Sequence, residues 1–331
     1  MSLDPSQAHV IAQWKHDAPL NVCRFGSEGK FVFSGSEDNL VERFTVSDGT
    51  RILLKNGHDT WVRGLATTTD GNHVISGGSD GKLTWWKTES DPEKPVRSIK
   101  AHQGWIRCVD SSDDGKLIAS GGNDHLVKIW NAGNGQLLHT IQSHSRHVYG
   151  LTFHPDNKSI FTGDLMGRLI QTELKNKQEI ASFDAKDLHT YHAGQQTDFG
   201  GVRGIAINTE QNLVAAGGTY KATNPFGAVH EPLVLLFDLE SGKLKKKLIA
   251  PGIKKGVIWQ VAWLNEQTLC GVCGGGDGGF LIFCNPQTEK DFHRFKLPNI
   301  ARDMDVHPDG IRIVTAHHDG HVRITKLAKK T

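Results

Sequence analysis

The chain has 331 residues, 37% hydrophobic and 22% charged, with 37 glycines, five cysteines and a formal charge of +2. That composition reads as turn-rich and globular rather than disordered, and it argues against a bulk electrostatic affinity for nucleic acid or membrane. The opening MSLDPSQAHV lacks the basic start and apolar core of a secretion signal, and no apolar run approaches the roughly 20 residues of a membrane helix. Cys23, Cys108, Cys270 and Cys284 fall in apolar runs, which fits reduced, buried thiols and a cytoplasmic location.

In chain order, residues 8–15 read as a strand with no earlier partner. Then a spacing begins: His16, Ser34 and Asp38 stand 18 and 4 residues apart, with Phe44 six further on. His58, Ser76, Asp80 and Trp86 repeat it, as do His102, Ser120, Asp124 and Trp130. The third unit shows the local logic. WIRCVD, KLIASGG and HLVKIW are strand-like runs, separated by DDG and ND, where Asp, Asn and Gly tolerate turn angles. In an antiparallel meander the His, Ser, Asp and indole N–H converge at one end of a small sheet as a buried polar chain, favourable when every member is paired. His144 and Thr162 continue the spacing, with Met166 and Thr172 in the Asp and Trp places. Later, Cys273, Asp277, Phe283 and Thr315, Asp319, Thr325 keep the intervals of 4 and 6. His16, His58, His102 and His144 lie 42, 44 and 42 residues apart, a repeat array that overrides the two-domain expectation from length.

These tetrads resemble those of the WD-repeat family of β-propellers over essentially the whole chain, although Trp130 is followed by Asn131 where the family favours Asp. The resemblance implies an all-β fold: one domain over residues 1–331, a single seven-bladed β-propeller of four-stranded antiparallel blades. The blades fall at about 16–55, 57–100, 101–142, 143–184, 198–249, 250–296 and 297–327. The seventh unit shows only three strand signals, so the strand at 8–15 is expected to join it and close the ring, leaving no open seam. The fourth unit reads as having lost its polar chain. So does the fifth, where Asp198 takes the register of the His and Tyr220 that of the Asp. The fifth unit also carries insertions at 184–200 and 219–232, which the resemblance places on the top face and which are expected to wall one side of the channel mouth.

Several motifs invite chemistry and read better as structure. A His–Ser–Asp set repeated with an indole in several units is a packing device, where a catalytic triad would occur once beside a cleft. CGVC at 270–273 lies in a strand, whose positions three apart face opposite sides, and no second CxxC exists. GGGDGG at 274–279 lacks the Lys-Ser/Thr and helix of a phosphate loop and reads as a hairpin turn, with Asp277 the tetrad carboxylate. His189 with His192, and His317, His318 with His321, lack a spacing that guarantees metal geometry, so neither metal nor cofactor is expected. The lysines of GKLKKKL at 242–248 read as a soluble outer edge.

The functional signal comes from aligning the start of each innermost strand. Five residues past the His register stand Asn21, Arg63, Arg107, Tyr149, Arg203, Trp259 and Arg302; three past it stand Pro19, Trp61, Trp105, His147, Gly201, Val257 and Ile300. Positions two apart on a strand share a side, so the two sets form neighbouring rings. In propellers that this chain resembles, such positions surround the top mouth of the channel. Arginine with aromatics is the composition of a recognition hot spot, and guanidinium suits carboxylate or phosphate. The expected site is Trp61, Arg63, Trp105, Arg107, His147, Tyr149, Arg203, Trp259 and Arg302, facing solvent. The expected role is a non-enzymatic protein–protein interaction scaffold, monomeric by itself, that binds an acidic or phosphorylated peptide segment, with no membrane or nucleic-acid partner. Two rival readings use the same mouth. One is an enzyme or small-anion sensor with His189, His192 or His318 and the carboxylates Glu37 or Asp198; the other is a nucleic-acid reader.

Overall fold

A computed structural model describes residues 2–89, 94–223 and 230–330. Seven four-stranded antiparallel sheets follow one another along the chain, at 20–54, 62–100, 106–141, 148–184, 204–249, 257–297 and, for the seventh, 301–327 together with 8–15. In the first six the strand order in the sheet is the order in the sequence, so each blade is a simple meander. Ala8–Lys15 pairs antiparallel with His321–Leu327, from Ala8 opposite Leu327 to Lys15 opposite His321, and the two distant parts of the chain share one blade. Trp14 also stacks on Phe44 of blade one, with ring centroids 5.3 Å apart, so the closing strand holds both sides of the last seam.

The apolar residues assemble into seven clusters, one at each seam between neighbouring blades. Val22, Phe33 and Val41 of blade one, for example, pack with Val62, Leu65 and Trp86 of blade two; Cys23, Val32 and Phe44 pack with Val314, Val322 and Ile324 of blade seven. A repeated glycine lets the blades close. A Cβ on Gly77 would stand 2.6 Å from Ile106 Cγ2, and Gly35, Gly121, Gly163 and Gly217 meet a β-branched residue of the next blade in the same way. Any side chain there would wedge the seam open. Cys270 and Cys273 lie in different seam clusters, on opposite faces of one strand, and all five cysteines are free.

The polar chains of blades two and three are complete. His58 Nε2 meets Ser76 Oγ at 2.7 Å and Trp86 Nε1 donates to the same oxygen at 2.9 Å; His102, Ser120 and Trp130 repeat both distances. Asp80 and Asp124 accept from the His Nδ1 side, at 3.3 and 2.8 Å.

Blade four corrects the expectation that its chain is lost. His144 meets Thr162 Oγ1 at 2.8 Å and Asp164 Oδ2 at 2.9 Å. The carboxylate has moved two residues, into the register of Gly78 and Gly122. A Cβ on Gly122 would stand 2.8 Å from His102 Nδ1, so a side chain from this register reaches the imidazole directly. Blade seven uses the same register differently. His317 there fills the gap itself, accepting from Thr315 Oγ1 at 2.7 Å and donating to Asn299 O at 3.1 Å. In blade one, His16 Nε2 meets Asp38 at 2.7 Å, while buried Glu42 stands 2.9 Å from Nδ1 and accepts from Ser34 at 3.1 Å. Asp277 of blade six accepts from the backbone N–H groups of Lys254 and Lys255 rather than from a histidine.

Both insertions of blade five contain strand. The first forms a short 3-10 turn, Lys186–Leu188, and a hairpin pairing His189–His192 with Thr197–Gly200. In the second, the blade's own strands run on to pair Thr219 with Pro232 and Tyr220 with Glu231; residues 224–229 lie outside the described residues. Tyr220 packs on the cluster that contains Leu188, so the two insertions lean on each other.

Candidate functional site at the channel mouth

A repeated irregularity places the ring. In six blades the register between the innermost strand and the next skips one residue, and the skipped residues are Asn21, Arg63, Arg107, Tyr149, Trp259 and Arg302. A β-bulge of this kind frees one side chain from the alternation of the strand and re-aims it. In blade five, Arg203 directly precedes the strand Gly204–Asn208 and is fixed by its own N–H donating to Gly217 O at 2.9 Å. All seven of these residues line one central cavity of about 470 Å³.

Across five blades they stack with the outer aromatics as a ladder. Arg63 lies over Trp61 at 5.0 Å and Trp105 at 4.5 Å; Arg107 over Trp105 at 5.1 Å and Tyr149 at 4.4 Å; Arg203 over Tyr149 at 4.8 Å and Trp259 at 4.6 Å. Each such contact contributes about 0.5–2 kcal/mol, more as water is removed, which offsets the repulsion of neighbouring cations. Arg302 stands outside the ladder and is neutralised, donating to Glu37 Oε1 at 2.5 Å and to Asn21 Oδ1 at 2.8 Å.

The arginines do not face solvent as the sequence suggests. They are half-buried between rings, whereas Trp61 and Trp105 keep 41% and 39% exposure at the rim. Burial and the nearby Arg107 bring the Arg63 guanidinium down to about 10, and burial lowers Arg107 and Arg203 as well. Nε of Arg63 donates to Ser79 Oγ at 2.7 Å and Nε of Arg107 to Asn123 Oδ1 at 2.6 Å, while Nε of Arg203 is buried without a hydrogen-bond partner among the described residues. His147 stands apart from the cavity, its ring 5.5 Å from that of His125, and burial lowers its pKa. Trp105 likewise reaches the cavity only through the arginines it stacks on.

Deeper in the channel the signs reverse. Arg24 Nη1 pairs with Asp303 Oδ2 at 2.5 Å, and Asp303, Asp305 and Asp110 accept backbone N–H groups of Cys23, Phe25 and Phe153 on the neighbouring blades. Burial pushes Asp110 up to about 6 and raises Asp303 and Asp305. These residues join blades, and Arg24 and Asp303 also line the cavity.

Both carboxylates of the catalytic reading are paired, Glu37 at the cavity itself and Asp198 within the insertion hairpin. Glu37 holds Arg302, and Asp198 holds His189 at 2.8 Å within the insertion hairpin. Among the described residues no three His, Cys, Asp or Glu are grouped to hold a metal ion. Just past the insertion, a Cβ on Gly201 would stand 2.9 Å from the Tyr149 ring.

Two features escape the sequence reading. Ser79 and Asn123 orient the guanidinium groups, and a signal existed, since each immediately precedes the tetrad aspartate of its unit. The Arg24–Asp303 pair has no repeat signal at all.

Comparison with known proteins agrees with the fold. The family model described as "WD domain, G-beta repeat" matches residues 49–87, 93–131, 135–167 and 293–325. The chain is 27% identical over 182 residues to "Nuclear distribution protein nudF" of Emericella nidulans, covering 48% of this chain and 41% of that one. It is 30% identical over 150 residues to "Periodic tryptophan protein 2" of Arabidopsis thaliana, covering 45% and 17%. The matches thus span less than half the length of these relatives. The WD40 β-propeller domain of Doa1 superposes with a TM-score of 0.77 at 18% identity, over 97% of this chain and 98% of that one. The chain thus contains WD repeats over the matched residues and folds as a seven-bladed β-propeller of four-stranded sheets.

Proposed function

We propose that this propeller is a non-enzymatic scaffold that docks a segment of a partner protein at the channel mouth, and that the segment is acidic or phosphorylated. The observation that carries the reading is the ladder from Trp61 to Trp259, in which three arginines are held in fixed planes without carboxylate partners among the described residues. Aromatic and arginine side chains dominate recognition hot spots, and a preset guanidinium loses little freedom on binding. One named relative is a nuclear distribution protein, and the matched repeats are WD repeats, which supports an assembly role over catalysis. The reading takes the scaffold to be a monomer in a reducing, cytoplasmic compartment, in keeping with five free cysteines, of which only Cys108 is incompletely buried.

The test is affinity capture by the intact protein beside the Arg107→Ala/Arg203→Ala variant. Each charge-assisted contact is worth roughly 1.5–3 kcal/mol, so the double change should weaken partner binding by about two to four decades. Full capture by a folded double variant would move the docking surface to the blade sides or the opposite face.

A further inference from the structure

The cavity beneath the mouth has a charge imbalance that no ion pair among the described residues answers. Its lining carries five arginines, at 24, 63, 107, 203 and 302, and two carboxylates, Glu37 and Asp303. Arg302 is paired with Glu37 and Arg24 with Asp303, so Arg63, Arg107 and Arg203 remain as an excess of three positive charges. A cation half removed from water without a counter-charge is costly to the folded state. Among the described residues, no hydrogen bond leaves the Nη atoms of these three arginines.

Their geometry narrows what answers them. Aromatic rings cover the faces of each guanidinium, and Ser79 and Asn123 hold the Nε of two of them, so the free Nη donors are presented edge-on from blades two, three and five. A carboxylate has two oxygens in one plane, and one guanidinium fork satisfies both. A phosphoryl group has three terminal oxygens diverging in three directions and a charge near −2, which matches three forks arriving from separate blades. Arg107 and Arg203 share the Tyr149 ring at 4.4 and 4.8 Å, close enough for one tetrahedral anion at the inner edge of that ring to meet both.

The geometry points to a tetrahedral phosphoryl oxyanion seated in this cavity, bridging Arg107 and Arg203 beside Tyr149 with Arg63 as the third donor. This rests on the docking reading above and sharpens it: the group recognised is phosphoryl rather than merely acidic, and it enters the channel rather than lying across the rim. Its source is either free phosphate or a phosphorylated side chain of the docked segment.

Calorimetric titration of the full chain tests this, with inorganic phosphate, acetate, a phosphoserine peptide and the same peptide carrying glutamate as probes. Phosphate is expected to bind at least tenfold more tightly than acetate. Arg107→Gln with Arg203→Gln should weaken phosphate about a hundredfold or more, two charge-assisted contacts being lost. Ser79→Ala, which removes only the Nε anchor of Arg63 and keeps every charge, should weaken it a few-fold and guards against a double variant that misfolds. A phosphoserine peptide that beats its glutamate twin and is displaced by phosphate identifies the side chain as the source; phosphate binding with no preference between the peptides identifies free phosphate. No phosphate binding by the wild-type protein, or acetate binding equal to phosphate, overturns the inference even if an acidic partner is still captured through the ring. Phosphate binding that depends on the arginines, beside partner capture that does not, sustains the cavity and overturns the docking surface instead.

Discussion

Individual carboxylates do unequal work in this protein, according to which donors they face. Asp124 accepts from His102 Nδ1 at 2.8 Å and from Gln103 N at 3.0 Å; Asp164 accepts from His144 at 2.9 Å and from the N–H groups of Met166 and Arg168 at 2.9 and 3.0 Å. Removing either strands buried donors, so Asp124→Ala and Asp164→Ala should each cost about 1–3 kcal/mol in denaturant unfolding. Met166→Ala, at the residue the spacing alone puts in the aspartate place, should cost less than either. His317 supplies a pH dependence. Burial, with Arg323 nearby, lowers its pKa from 6.5 to about 4 in the folded protein. The unfolded chain therefore binds the proton first, so this contribution is intact above about pH 6.5 and declines toward pH 4, by up to about 3 kcal/mol. Unfolding free energies measured across that range should fall with acid in the wild-type protein, and less steeply in His317→Gln.

Among the elements, the strand Ala8–Lys15 has the most leverage, because it completes the last blade and, through Trp14 on Phe44, holds the seam with the first. Without it, His321–Leu327 becomes an unpaired edge with buried apolar residues behind it. Deleting residues 1–15 should lower the melting temperature by several degrees or cause aggregation, read by differential scanning calorimetry and light scattering. A truncated protein that melts with the full-length chain would show that the seam holds without its strand. The bulges are the second decisive element. They repeat in six blades and coincide with the ring, so the site is built by a local backbone device rather than by loops alone.

At the scale of the whole molecule, no blade owns its core. Each apolar cluster belongs to two neighbours, so unfolding one blade exposes half of two seams. Closure distinguishes this ring from an open repeat array, whose ends fray independently. The expected result is one cooperative transition, with far-ultraviolet circular dichroism and tryptophan fluorescence coincident in denaturant. Separated transitions would mean that the insertion-bearing blade five and its seams unfold on their own.

The sequence by itself determined the periodicity. His, Ser, Asp and Trp at fixed intervals fixed the repeat length, the number of blades and the shortage of one strand in the last unit, because each interval is a strand-and-turn length that the chain must respect. It also aligned Arg63, Arg107, Arg203 and Arg302 with Tyr149 and Trp259 in one register, since a repeat carries its register with it. Tertiary structure alone decided who meets whom. A carboxylate two residues from its usual place still reaches the histidine in blade four, because the fold fixes a point in space and not a position in the chain. A skipped register partner exists only once two strands pair, so the bulges left no mark in a single strand's pattern. Whether an arginine stands in water or between two rings depends on the neighbouring blade, some 40 residues away, and that contact turned a row of aligned cations into a stacked, half-buried ladder.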